Sequence, residues 1–226
     1  MVRFPPLSRL RMRRSLLILV LVNGLSCANP VPLSCQQCAA ARLTNQWCDA
    51  CNVGYVAGVP IKSKFLFETL DAHGHDLVAA NFTCPTCKIA IATEGFCEPC
   101  RIGWIDKKAY FSRLTYHLAK GVAKDPSTLS CTVCRKNSET YGWCERCGHG
   151  MVGNVEVKSR ADFEGGRRGY ELMMTAIEAS GRCEMCGQVI ITDGSCFVCK
   201  ISYKDGKAVT PTTAPSVANP GVRGGP

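Results

Sequence analysis

CPTCKIAIATEGFCEPC, residues 84–100, sets two Cys-x-x-Cys pairs nine residues apart. The same frame returns as CQQCAAARLTNQWCDAC (35–51), CTVCRKNSETYGWCERC (131–147) and CEMCGQVIITDGSCFVC (183–199), so sixteen of the 17 cysteines stand in four identical frames. Two residues between cysteines let the chain double back, so that both sulfurs face one point and nearby backbone N–H groups point at them. Two such knuckles brought together make a tetrahedral shell of four sulfurs, which suits zinc or, less often, iron. Four metal sites are therefore expected: Cys35, Cys38, Cys48 and Cys51; Cys84, Cys87, Cys97 and Cys100; Cys131, Cys134, Cys144 and Cys147; and Cys183, Cys186, Cys196 and Cys199, with one zinc in each. Aromatic residues beside the knuckles (Trp47, Tyr55, Phe96, Trp104, Trp143, Tyr203) are expected to cover the sulfurs. Lys88, Arg101, Arg135, Arg146 and Lys200 are expected to offset their charge.

The residues inside a frame suggest a hairpin. Ile89–Ile91 and Thr93–Gly95, or Val189–Ile191 and Thr192–Gly194, read as short strands about a turn, with a glycine two residues before the third cysteine supplying a positive φ. The first frame has Gln46 there instead. On these paired knuckles, the chain resembles the zinc-ribbon superfamily over about residues 35 to 205, and looks like uncharacterised exported bacterial proteins built from tandem copies of such a unit. The resemblance implies zinc and a small β-rich module, and carries no activity.

The frames recur at intervals of 49, 47 and 52 residues, and the connectors share a pattern. After the fourth cysteine a short strand is expected (Val53–Val56, Ile102–Ile105, His149–Val152, Ile201–Lys204). A turn (Ala57-Gly58, Asp106-Lys107, Gly153-Asn154, Asp205-Gly206) leads to a second strand. In three copies Ser63, Ser112 or Ser159 then sits where a helix N-cap belongs, ahead of an apolar stripe such as Phe65, Leu66, Thr69 and Leu70 or Leu172, Met173, Ala176 and Ile177. Gly165-Gly166 reads as an interruption of the third helix, and Gly74, Gly121 and Gly181 as C-terminal caps. The expected fold is a set of small metal-stapled α+β repeats, four zinc-ribbon β-hairpin modules joined by three short helices. The divisions are a signal peptide (1–28), repeats with linking helices (29–82, 83–129, 130–181), a fourth repeat without a helix (182–207) and a disordered Pro/Gly-rich tail (208–226).

Only 8% of the chain is aromatic, so no single large apolar core is expected, and zinc binding worth about 10–16 kcal/mol per site would dominate local stability. The N-terminus carries Arg3, Arg9, Arg11, Arg13 and Arg14 and then the short apolar run 16–22, the layout of an export signal. Ser26-Cys27-Ala28 offers a cleavage site, and Cys27 an alternative lipid anchor, although Gly24 departs from a lipobox; Arg13-Arg14 also permits a twin-arginine signal. The full chain is +9. Without those five arginines, 22 basic face 18 acidic side chains, and four sulfur-bound zincs adding about two negative charges each would reverse the sign. No nucleic-acid partner is expected, and the protein should be periplasmic or secreted.

Three classes of function fit the frames. The first is a non-catalytic protein-interaction module with structural zinc, since a closed shell of four cysteines leaves no position for water. The second is a periplasmic buffer or carrier for zinc, copper or cadmium. The third is thiol–disulfide exchange, disfavoured because redox pairs stand at helix N-termini with a lowered pKa and these are expected across a hairpin. No Cys-x-x-Cys is followed directly by histidine, which excludes c-type haem, and His73-Gly74-His75 is the one histidine pair with the look of a ligand set. No catalytic residues are expected.

Overall fold

The computed structural model describes residues 35–209; the expected signal segment, Cys27 and the tail from residue 210 lie outside them. The first repeat comprises α1 (Gln36–Thr44), β1 (Trp47–Cys48), β2 (Val53–Val56), β3 (Val59–Ile61) and α2 (Lys64–Leu70). The second comprises β4 (His75–Asp76), α3 (Pro85–Thr93), β5 (Phe96–Cys97), β6 (Ile102–Ile105), β7 (Lys108–Tyr110) and α4 (Arg113–Ala119). The third comprises β8 (Val122–Ala123), α5 (Thr132–Asn137), β9 (Tyr141–Cys144), β10 (His149–Val152), β11 (Val155–Val157) and α6 (Arg160–Ser180), and the fourth α7 (Glu184–Thr192), β12 (Gly194–Cys196), β13 (Ile201–Lys204) and β14 (Lys207–Val209). The described residues are thus mixed α+β, with seven helices and small antiparallel sheets ordered β1-β2-β3, β4-β7-β6-β5, β8-β11-β10-β9 and β12-β13-β14.

Inside each frame the chain is helical, which corrects the expected hairpin. Cys35, Cys84, Cys131 and Cys183 are N-caps, and the second cysteine lies in the first helical turn. Pro85 opens α3 at a position that needs no N–H donor. The face bearing Cys38 and Ala41, or Cys87 and Ala90, is buried at the i, i+3 spacing of a helix. That burial overrides the strand preference of Ile89 and Ile91, since propensities differ by only about 0.7 kcal/mol per residue. Asn45 and Glu94 end α1 and α3 in the left-handed region (φ 53° and 52°), one residue ahead of the position assigned to glycine. The presence of Gln46 in the first copy therefore changes nothing.

The hairpins begin one to three residues before the third cysteine, and after the fourth the sequence reading holds strand for strand. Ala57-Gly58 and Asp205-Gly206 both take positive φ at the two central positions, the primed turn that matches strand twist. Asn45 Oδ1 accepts from Ala57 N–H, and Asp193 Oδ1 from Asp205 N–H, each at 2.9 Å, so a side chain from the frame's helix end clamps the turn. The three serine caps form: Ser63, Ser112 and Ser159 accept from Leu66, Thr115 and Asp162 N–H at 3.1, 3.1 and 3.3 Å. Of the glycine caps only Gly181 stands at its helix end, donating its N–H to Ile177 O, and it does so without the left-handed conformation. Asp71 ends α2 (φ 50°), Lys120 is the residue after α4, and Gly181 is right-handed (φ −62°).

A shared apolar core also departs from expectation. It runs through Leu66 and Leu70 of α2, Leu114 and Leu118 of α4, Val152 of β10, Val155 and Val157 of β11, Met173 and Ala176 of α6, and Ile190 of α7. The long helix α6 is unbroken through Gly165-Gly166, and those glycines are contact sites: a Cβ on Gly165 would run into the His117 ring, and one on Gly169 would lie 2.6 Å from Leu114 Cβ. Repeats remote in sequence meet directly. Asn154 of the third repeat donates its N–H to Ala57 O (3.0 Å) and its Nδ2–H to Arg42 O (2.9 Å) in the first, and Arg101 of the second pairs with Asp193 of the fourth at 2.9 Å. Ser63 Oγ donates to Glu184 Oε1 at 2.8 Å. Aromatics are few, but aliphatic stripes on α2, α4, α6 and α7 supply the apolar area that the expectation overlooked.

Candidate metal centres

Each frame delivers two sulfurs from the start of a helix and two from a strand end and the turn after it. The structure brings together all four expected sets, with the four Sγ atoms of every set within 4.8 Å of one another. Across each set the first and third sulfurs lie 3.8, 3.9, 3.9 and 3.8 Å apart in chain order. A tetrahedron with a metal–sulfur distance of about 2.3 Å has an edge of about 3.8 Å, while a disulfide needs about 2.05 Å. The residue after the fourth cysteine is left-handed in every copy (Asn52 φ 51°, Arg101 58°, Gly148 67°, Lys200 58°), which turns the chain from the knuckle into the next strand.

The sulfurs of one set do not share one acidity. The Cys38 backbone N–H beside it, and then Cys51, lower Cys35 to about 7. The Cys87 N–H, with Cys100, likewise lowers Cys84 to about 7, and the Cys134 N–H with the Arg146 guanidinium lowers Cys131 to about 6. In the fourth set Cys196 falls to about 7, chiefly through the Cys199 N–H, which donates to its Sγ at 3.3 Å. Burial pushes Cys87 and Cys134 well up, and Cys186 to about 12; Cys38, and then Cys35, pushes Cys51 to about 12. One thiolate forms readily and its neighbours resist a second negative charge. A multivalent cation at the centre removes that repulsion and draws off the remaining protons.

Buried donors surround the second cysteine. Four residues past the fourth cysteine stand Tyr55, Trp104 and Tyr203. The Tyr55 hydroxyl and Trp104 Nε1–H are buried without a hydrogen-bond partner. Burial, and then the adjacent Cys38 sulfur, push Tyr55 up to about 12; Trp104 packs in one cluster with Cys87 and Cys97; and Tyr203 is raised by burial and Cys186. A metal-bound thiolate is a strong acceptor for such orphaned donors, so these residues fit the ion as the expected cover. In the third repeat this position is Met151, and the polar partner of the second cysteine arises two residues earlier on the same strand face, where His149 Nε2 lies 3.3 Å from Cys134 Sγ. Sequence reasoning missed His149, although its i, i+2 relation to the cover position was legible.

Other expected cover residues work elsewhere. Trp47, Phe96 and Trp143 pack on Phe67, Tyr116 and Phe163 of the linking helices at 5.5, 5.4 and 5.6 Å, and Lys64, Arg113 and Arg160 lie over them at 5.8, 4.6 and 4.8 Å. Of the basic residues assigned to the sulfurs, Arg146 donates to Cys131 Sγ at 3.0 Å, whereas Arg135 donates to Leu129 O and Arg101 to Asp193. His75 is bound to Asp71 at 2.6 Å and His73 packs on Phe67, so neither joins a cluster of three or more ligand groups among the described residues. The first pair of each frame does stand at a helix N-terminus, which removes one objection to thiol–disulfide chemistry for four of the eight pairs. Among the described residues no helix is long and apolar enough to cross a membrane. No family model, curated protein or solved structure searched matches this chain, so its functional reading rests on the chemistry of the four tetrads.

Proposed function

We propose that this is an exported, non-catalytic zinc-ribbon protein in which four structural zinc ions hold the ribbons in shape so that their surfaces can take a protein partner. The convergence of four complete sulfur tetrads, with edges of 3.8–3.9 Å, supports it. Four thiolates close a zinc shell and leave no place for a reacting water, which argues against catalysis there. The shared core changes what zinc is for. The metal end of the fourth repeat joins the large apolar cluster through Cys186 and Cys196, whereas the buried residues at the metal ends of the second and third form small clusters of their own, Cys87, Ala90, Cys97, Ile102, Trp104 and Ala109 in one and Cys131, Cys134, Cys144 and Met151 in the other. Zinc matters most to those two ribbons.

The test is metal analysis of the exported protein with amide hydrogen exchange before and after chelation. Four zincs per chain are expected. Chelation should release protection first in residues 84–105 and 131–151, with the α6 core following later. Uniform protection after complete metal removal would end the structural role, and eight disulfides with no metal would replace it with thiol–disulfide chemistry.

A buffer or carrier is the second reading. It is favoured by the exposure of the fourth cysteine in three tetrads, Cys100, Cys147 and Cys199, each of which gives a competing ligand access to the ion. Exchange within minutes without loss of protection would favour it.

A further inference from the structure

The third tetrad differs from the others in the polar groups beside its second cysteine. Its cover position holds Met151, which has no donor, and His149 Nε2 instead lies 3.3 Å from Cys134 Sγ. That nitrogen is 4.0 Å from Glu156 Oε2 on the adjoining strand, and Lys124 Nζ lies 3.9 Å from the same oxygen. A cleft of about 260 Å³ opens over Cys131, Cys134, Cys147, His149 and Glu156. The corresponding positions to His149 are Val53, Ile102 and Ile201, none of which can bind metal.

We propose that His149 is a reserve ligand of the third centre, able to take the coordination place of Cys134 and convert a shell of four sulfurs into one of three sulfurs and a nitrogen. This rests on the metal-binding function proposed above. In the exchange one metal–sulfur bond breaks and one metal–nitrogen bond forms. The imidazole binds as its neutral form through Nε2, with its proton on Nδ1, and the displaced thiolate takes a proton from water. A borderline ion such as zinc or cobalt(II) accepts either donor, while copper(I) favours sulfur. A nitrogen already poised at the shell lets one thiolate leave without the ion losing four-coordination. The third centre is therefore the one built for ligand exchange, and the cleft gives an incoming ligand a path to it.

Cobalt(II) uptake by the full chain tests this, read as cobalt per chain and by the visible d–d bands, which move to shorter wavelength when nitrogen replaces sulfur. The natural chain should bind four cobalt ions, all in four-sulfur shells. Cys87→Ala and Cys186→Ala should each retain three. Cys134→Ala should still retain four, one with the spectrum of a three-sulfur, one-nitrogen shell, and Cys134→Ala/His149→Ala should fall to three. Retention of three by Cys134→Ala, or of four by the double variant, would overturn the proposal while leaving the metal-binding function intact. A natural chain that takes up no cobalt would overturn both. Should Cys134→Ala not fold, Cys134→Ser poses the same question with a smaller change of side chain, against Cys87→Ser and Cys186→Ser as the comparison: a fourth ion retained in a shell with nitrogen only by Cys134→Ser supports the reserve ligand, and its loss overturns it.

Discussion

Gly54, Gly103 and Gly150 stand directly across the hairpin from Trp47, Phe96 and Trp143. A Cβ at any of them would run into Phe67, Tyr116 or Phe163, the aromatic that the linking helix lays on the sheet. The glycine, the two rings and the overlying cation make one unit that three repeats build in the same way. Arg113 and Arg160 also pair with Glu98 and Glu145, the residue after the third cysteine, so the unit ties the helix start to the second knuckle. Among the described residues no helix follows the fourth repeat, and Ser195 and Ser202, whose hydroxyls lie 2.6 Å apart, stand in place of the ring and glycine. Gly150→Ala should accordingly destabilise the protein by about 1–3 kcal/mol through overpacking. Ser202→Ala, at the matching place in the fourth repeat, should change stability by less than about 0.5 kcal/mol. Urea denaturation of the two variants checks the pair, and equal effects would show that the glycine is not reserved for the ring.

At the scale of elements, α6 holds the structure's most informative disagreement with its sequence. Gly165-Gly166 lowers helix propensity by about 1 kcal/mol per residue, which makes an interruption the natural expectation. The helix nevertheless continues, because missing side chains let α4 approach: His117 lies against Gly165 and Leu114 against Gly169. His117 Nδ1 is 3.0 Å from Asp162, which Lys120 also contacts at 3.3 Å, so the crossing carries a partly buried ion network. Gly165→Ala would raise stability by about 1 kcal/mol if the glycine only interrupted a helix. With His117 in the way, the expected result is a fall in stability, measured by thermal or urea unfolding. Burial depresses the pKa of His117 despite Asp162. The neutral ring's contribution to stability is therefore fully present above the ordinary histidine pKa of about 6.5, and is lost as pH falls through the lower folded value.

At the largest scale, the four repeats among the described residues share stability instead of hanging on a string. Ile190 of α7 is 1% exposed and belongs to the same cluster as Leu66 and Leu70 of α2 and Met173 of α6. Ile190→Ala should cost about 2–5 kcal/mol. Hydrogen exchange should show the loss in α2 and α6 as well as in α7. Loosening confined to residues 183–209 would restore the picture of independent units. The polar contacts Asn154 to Ala57 and Arg101 to Asp193 join repeats first to third and second to fourth, a pairing that skips neighbours in the chain.

The sequence by itself determined the four sulfur sets, the strands after each fourth cysteine, their turns and the three serine caps, because each depends on groups a few residues apart. Spacing brings two sulfurs to one point, and a hydroxyl reaches an N–H three residues on, whatever lies beyond. Only the tertiary structure decided that the frames open as helices, that α6 runs through its glycines, that His149 stands beside Cys134, and that the repeats close around one core. An apolar stripe records which face of a helix must be buried, but the partner that buries it is chosen by shape and area summed over elements far apart in the chain.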